Sequence, residues 1–370
     1  MEEIFITNIQ IEKVRNLENF DIELSQAEKK HIILTGKNGS GKTSLLEAIS
    51  SCISDESKGM EKGIKILTNL TNEIKSPNFL RLYMPARRSL NIKQPSTITS
   101  TADIQEKINK ENKIEADTSE YFLQRMANMN YEKFLAEKDN DIEETKRIDM
   151  WFSKFTKLLR DIYKCEALEL KPERKSPKFK IQLPDREPFG LNEMSDGYSA
   201  ILRIVMELIN LMEAKSGKYC DYTMPGIVLI DEIETHLHIE LQKGILPFLT
   251  EIFPHIQFIV STHSPFVLSS IKNAVVFDLE KKTRIEDLSK YSLEAIVESY
   301  FDIDMYSEDI KKTFEIYKEL CFKERTEEEN YKFLEAKSRL ELVPPAATEL
   351  YSAFNELESK RKAAKNGQDR

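Results

Sequence analysis

The segment Gly36-Lys37-Asn38-Gly39-Ser40-Gly41-Lys42-Thr43 places glycines, a lysine and a hydroxyl at the spacing G-x-x-x-x-G-K-[ST], and Ser44 follows. Glycines there let successive backbone N–H groups turn inward around an anion, and the positive end of a following helix adds to the same field. Lys42 is expected to reach the β- and γ-phosphates of a nucleotide, and the Thr43 hydroxyl to bind Mg²⁺. Gly36, Asn38, Gly39, Ser40, Gly41 and Ser44 complete the expected lining. A chance glycine turn is the competing explanation, and the apolar strand before the loop and the helical spacing after it argue against that. Alone, the loop does not separate an ATPase from a kinase or a GTPase.

Three later features make the separation. Asp231 follows four apolar residues at a strand end, which suits a carboxylate acting on Mg²⁺, and Glu232 beside it suits a general base that polarises water. In isolation such a pair would be a solvated turn; behind a phosphate loop and a buried strand it reads as catalytic. His263 closes the next apolar strand, at the carboxyl end where ligands collect in open α/β sheets, and is expected to touch the γ-phosphate. Ser195-Asp196-Gly197 opens a helix, where it serves either as a second anion site or as an ordinary N-cap, and the two roles are compatible.

The elements that must position these residues follow from periodicity. Residues 4–14 and 20–24 alternate as half-buried strands, whereas 31–35, 227–230 and 258–260 are continuous apolar runs expected of strands covered on both faces. Residues 275–277 read as a further strand, and 79–84 as one ending at Pro85. Residues 201–212 are apolar nearly all round and predict a buried helix. Residues 101–164 are charged and helical, followed by short strands near 167–170 and 179–183. The alternation predicts an α/β fold with a mainly parallel sheet.

The order of phosphate loop, Ser-x-Gly helix, Asp-Glu strand and Ser-Thr-His strand resembles the ABC ATPase superfamily, including its SMC and RecF branch. Met-Ser-Asp-Gly-Tyr (194–198), Leu-Ile-Asp-Glu-Ile-Glu-Thr-His-Leu-His (229–238) and Phe-Ile-Val-Ser-Thr-His-Ser-Pro (258–265) are similar to the OLD-type, Septu and PARIS defence ATPases of bacteria and phages. The resemblance implies an ABC-type P-loop ATPase head, a mainly parallel sheet plus N-terminal antiparallel strands. The motifs, in pieces of 1–280, assign 1–52 and 187–285 to the core, and the looser, charged patterns around them give 53–186 as a largely helical insertion with flanking strands, 286–360 as a helical C-terminal region and 361–370 as a disordered tail. The resemblance further implies ATP and Mg²⁺, and a head-to-head dimer in which Ser195, Asp196 and Gly197 of one subunit close over the nucleotide held by Lys42 of the other. Thr235 and His236 would lie in the loop crossing that interface.

Several departures and side features bear on the role. Asp196 and Tyr198 stand where transporter-type signatures carry Gly and Gln, which favours the OLD-like branch. Gln94 is a weak candidate for a Q-loop glutamine, and Arg87 or Arg88 would touch phosphate or DNA or form a surface salt bridge. His236 and His238 are spaced poorly for joint metal binding. Asp302-Ile303-Asp304 has the outline of a nuclease Asp-x-Asp but lacks the preceding glutamate-glycine strand, so a helix cap or loop is expected and no nuclease of its own.

Nine basic residues against four acids between 154 and 180, interleaved with Trp151, Phe152, Phe155 and Tyr163, suit either a DNA or RNA surface or an amphipathic helix with its aromatics turned inward; the second is favoured. The net charge of −9 argues against a uniformly nucleic-acid-coated protein. No apolar run reaches the roughly 20 residues that span a bilayer, and four widely spaced cysteines without a CxxC pair point to the cytoplasm. The expected role is a regulatory ATPase of anti-phage defence controlling a separate nuclease or toxin; a RecF/SMC-like DNA-repair ATPase that clamps DNA and a nucleotide-gated scaffold that hydrolyses ATP negligibly are the rivals.

Overall fold

The alternation at the start of the chain becomes β1 (Ile6–Val14), which turns through Arg15, held at a φ of 54°, into antiparallel β2 (Leu17–Glu23). The computed structural model describes residues 3–70, 73–88, 94–99, 101–110, 118–217, 222–291, 293, 295–297, 308–342 and 348–368. They divide into two compact units, Met1–Ile296 and Val297–Arg370. In the first unit, β3 (His31–Thr35) leads through the glycine loop into α1 (Lys42–Ser54), followed by α2 (Glu56–Glu61), β4 (Ile64–Thr68) and β5 (Leu80–Met84). Next come α3 (Thr101–Lys110), α4 (Ser119–Asp139) and α5 (Ile142–Tyr163), then the short strands β6 (Glu169–Pro172), β7 (Phe179–Gln182) and β8 (Phe189–Gly190). The unit continues with α6 (Asp196–Ser216), β9 (Gly226–Ile230), α7 (Ile239–Ile252), β10 (Ile256–Ser261), α8 (Pro265–Leu268), β11 (Ala274–Asp278) and β12 (Thr283–Glu286).

The main sheet runs β12-β11-β3-β10-β9-β5, with every neighbouring pair parallel except β11 and β12. Every residue of β3, β9 and β10 is buried, because strands covered on both faces need no alternation. A second sheet, β2-β1-β4, is antiparallel. The fold is thus α/β, with a mainly parallel sheet and N-terminal antiparallel strands. Gln257, fully buried in β10, accepts from Ile6 N at 2.7 Å and donates to Lys30 O at 2.7 Å, tying the start of β1 to the central sheet. The stretch 53–186 contributes β4 and β5 to these two sheets before its longer helices α3, α4 and α5 begin.

Helix α4 ends at Asn140 in the left-handed region, and Asp141 caps α5 by accepting from Glu144 N at 3.0 Å, so the two form a helical hairpin against α6. Helix α6 is buried as its apolar content predicts, yet Arg203, Glu207, Asn210 and Glu213 form a polar stripe along it that is buried too. The hairpin side answers this stripe. Thr118 N and its hydroxyl donate to Glu207, Asn210 Nδ2 donates to Thr118 O at 2.8 Å, Arg125 pairs with Glu213, and Trp151 Nε1 donates to Glu213 at 3.1 Å. A buried charge is tolerable only with such partners.

The second unit contains α9 (Glu308–Leu320), α10 (Glu327–Glu341) and α11 (Thr348–Gln368), packed around Tyr317, Phe333, Leu340 and Phe354. Helix α11 continues to Gln368, through the stretch expected to be a disordered tail. Asp302–Asp304 and Cys220 lie outside the described residues. Among the described residues no helix is long and apolar enough to cross a membrane.

Candidate functional site

Gly36, Gly39 and Gly41 take φ values of 132°, 83° and 100°, which only glycine adopts without strain, and so fold the chain between β3 and α1 into a tight cradle. Lys42 points back over the cradle, donating to Gly36 O at 2.8 Å and Lys37 O at 3.1 Å. Burial pulls its pKa below the usual lysine value, while Asp231, Glu232, Glu234 and Asp278 push the other way. Asn38 is exposed on the rim, Ser40 half-buried, and Ser44 buried in the first turn of α1. Asn16, from the turn between β1 and β2, donates to Gly39 O at 3.4 Å.

The ends of β9 and β10 complete the arrangement. Thr43 Oγ1 lies 2.7 Å from Asp231 Oδ2, the other Asp231 oxygen accepts from the Ser261 hydroxyl, and Ser261 Oγ accepts from Glu232 N at 2.8 Å. A hydroxyl and a carboxylate side by side are hard oxygen donors of the kind Mg²⁺ takes together with nucleotide phosphates. Glu232 sits at a φ of 45°, a left-handed conformation that non-glycine residues adopt at a cost and that recurs at functional sites. Further contacts join Ser261 in holding it there. Thr235 Oγ1 stands 3.4 Å from Glu232 Oε2, and the Arg88 guanidinium donates to Asp231 O at 2.6 Å and Glu232 O at 3.0 Å.

His263 N donates to Glu234 Oε1 at 2.5 Å, and Ser264 caps α8 behind it, accepting from Phe266 N and Val267 N. Burial, then the nearby Lys42, hold the His263 pKa below the usual histidine value, so its ring is neutral at pH 7. The structure therefore gathers Lys42, Thr43, Asp231, Glu232 and His263 at one end of the sheet.

Ser195, Asp196 and Gly197 belong to a different place. Ser195 is the N-cap of α6 without a side-chain cap bond, and both Ser195 and Asp196 are exposed. A Cβ on Gly197 would stand 3.0 Å from Leu241 Cδ1 and 3.2 Å from His236 O, so only glycine lets α6 start this close to residues 235–238. Tyr198 stacks on Tyr163 at the end of α5, with centroids 4.1 Å apart.

Sequence reasoning missed Arg88's hold on the backbone, the double role of Ser261, and Glu234 as partner to His263. Ser261 was legible in principle, as a hydroxyl immediately before the Thr-His pair; Arg88 was not, because its partners are carbonyl oxygens. Gln94 donates to Asn192 Oδ1 at 2.7 Å, in the turn before Ser195. Of the aromatics among the basic residues, Trp151 and Phe155 are buried and stacked, and Phe152 stacks on Phe179. They are packing residues rather than platforms for bases.

A phosphate cradle on β3 and α1, with Asp231 and Glu232 at the end of β9 and Ser261 and His263 at the end of β10 between β9 and β3, defines a P-loop ATPase-type domain. The family model described as "AAA domain, putative AbiEii toxin, Type IV TA system" matches residues 85–269, half of the chain, and the chain belongs to this AAA-domain family. The "Retron Ec83 probable ATPase" of Escherichia coli is 34% identical over 157 residues, covering 39% of this chain and 28% of its own length. The "Septu protein PtuA" of Bacillus mycoides (strain KBAB4) is 37% identical over 95 residues, 25% of this chain and 13% of its own length. These alignments thus span under a third of either relative. The SMC head domain from Thermotoga maritima superposes with a TM-score of 0.39 at 15% identity, covering 74% of this chain and 94% of that domain.

Proposed function

We propose that this protein binds ATP with Mg²⁺ in the cradle of residues 36–44 and hydrolyses it as the regulatory subunit of a bacterial anti-phage defence system in the cytoplasm. The observation that carries the reading is the chain of contacts from Thr43 through Asp231 and Ser261 to Glu232. It aligns a hydroxyl–carboxylate pair suited to the cation with a carboxylate suited to the attacking water. In this reading Lys42 releases the loop carbonyls to meet the β- and γ-phosphates, and Asp231 and Thr43 hold Mg²⁺. The cation would neutralise phosphate charge, Glu232 would accept the proton of the attacking water, and neutral His263 would donate to the γ-phosphate. Because Ser195, Asp196 and Gly197 open a separate helix, they would serve the cradle of a second copy in a head-to-head dimer, with Thr235 and His236 at the crossing. The retron and Septu names of two relatives support the defence role. A separate nuclease or toxin would then be the controlled partner.

The test is ATP turnover with sedimentation in parallel. Wild-type protein should turn over ATP and dimerise with it, and Glu232→Gln should dimerise without turnover. Equal, near-zero rates for both would leave a nucleotide-gated scaffold instead. Copurification with the product of a neighbouring gene tests the defence role; a free ATPase that clamps DNA would favour the repair reading.

A further inference from the structure

Helices α5, α6 and α7 enclose an open groove of about 770 Å³ that shares no residue with the phosphate cradle, Asp231, Glu232 or His263. Its floor is apolar, made by Leu158 and Ile162 of α5, Ile201 of α6, and Ile245 and Phe248 of α7. Its walls carry opposite charge. On the α5 side Lys154, Lys157, Arg160 and Lys164 outnumber Asp161 and Glu166, leaving it net basic, whereas exposed Glu240 and Glu251 line the α7 side. Gly244 stands in the middle of α7 facing this space, and a Cβ there would meet nothing within 4 Å among the described residues. Glycine is a poor helix former, and neither crowding nor backbone conformation within the unit requires it at this position. A reason from outside the unit is close approach by another chain.

We propose that this groove receives an amphipathic helix of a partner protein, with its apolar stripe on the floor, acidic residues toward α5 and basic residues toward α7. Helix α7 has 14 residues, so the groove side it forms is roughly 20 Å long, enough for about four helical turns. A nucleic acid strand fits worse, because Glu240 and Glu251 would face its phosphates along the α7 side. Leu241 lines the groove and also stands against Gly197, so the occupant shares a wall with the start of α6. The inference rests on the reading that a separate protein works with this ATPase, and adds where it docks.

The probes are four-turn helical peptides with a leucine stripe, one with Glu on one flank and Lys on the other, one with Lys on both and one with Glu on both. Fluorescence anisotropy on the full chain should show the mixed peptide binding about tenfold more tightly than either control. Gly244→Trp should abolish that advantage, and its ATP binding, read in parallel, reports that it is folded. Glu240→Lys with Glu251→Lys should shift the preference to the peptide with Glu on both flanks, which a merely structural role would not do. Equal binding of all three peptides, no effect of Gly244→Trp, or stronger competition by a single-stranded oligonucleotide overturns the proposal. So does loss of ATP-dependent self-association in Gly244→Trp, which would assign the groove to a second copy. Failure of wild-type turnover bears on the ATPase reading and leaves the peptide result standing.

Discussion

The Thr43 hydroxyl donates to Asp231 across 2.7 Å, joining the first turn of α1 to the residue just past β9. Two chain segments 188 residues apart thus meet at one hard-donor pair. Thr43→Val should keep magnesium-free nucleotide on the cradle but lose the gain that magnesium provides, by about tenfold in affinity, equivalent to roughly 1.4 kcal/mol. Calorimetric titration with ATP, once with Mg²⁺ and once with EDTA, reads this directly; an unchanged ratio of the two affinities would remove Thr43 from the cation site.

Arg88 fixes the strained turn at Asp231 and Glu232 through carbonyl oxygens alone. Charge-assisted hydrogen bonds contribute about 1.5–3 kcal/mol each, so Arg88→Ala should lower turnover by roughly 10- to 100-fold. The effect should fall on kcat, with KM changed less than about threefold, because the guanidinium positions Glu232 rather than the nucleotide. Arg88→Lys should recover only part of the rate, since an ammonium cannot reproduce the two-pronged geometry. A KM effect in place of a kcat effect would make Arg88 a nucleotide contact.

His31 is buried in β3, where Nδ1 accepts from Phe258 N at 3.1 Å, and burial followed by Lys29 depresses its pKa to about 3. At neutral pH neither the folded nor the unfolded state protonates it. Below about 6.5 the unfolded chain takes up the proton first, so stability falls by up to about 1.4 kcal/mol per pH unit until the folded-state value is reached. His263, depressed by burial and Lys42, adds in the same direction. Urea denaturation at pH 7, 6 and 5 should show a shallower loss for His31→Asn, whose Oδ1 can accept the same bond without titrating. Identical slopes would place the acid sensitivity elsewhere.

Arg125 and Glu213 are an ion pair buried between α4 and α6. Arg125→Met alone should cost about 3–5 kcal/mol, because it strands a buried carboxylate, whereas pairing it with Glu213→Leu should recover most of the loss. Denaturation midpoints of the three variants decide the matter; equal losses for single and double variants would show that packing, not charge, governs the seam.

The parallel strands of the main sheet were legible because burial on both faces erases alternation and leaves continuous apolar runs, as in 31–35 and 227–230, whereas the edge strand β12, Thr283-Arg284-Ile285-Glu286, has no such run and was not. The chemistry residues were legible because glycine, lysine, hydroxyl and carboxylate at fixed spacing have few other uses. β4 was not, since Ile64-Lys65-Ile66-Leu67-Thr68 is short and acquires its meaning only by pairing with β1. The polar stripe of α6 was hidden in an otherwise apolar helix, because Glu207 and Glu213 are tolerated there only through partners at Thr118, Arg125 and Trp151, far along the chain. Arg88 was hidden for a related reason: a contact to backbone oxygen leaves no residue type for a sequence pattern to reveal.

Trp151 is the chain's single tryptophan, and its indole N–H donates to Glu213 on the same helix that Ser195 opens. Its ring lies against Phe122 and Phe155. The molecule therefore carries one native indole, selectively excited at the red edge of protein absorption and seated where the helical hairpin meets α6. Emission wavelength and quenching would report on that seam without any label, in a background with no second indole to confuse the signal.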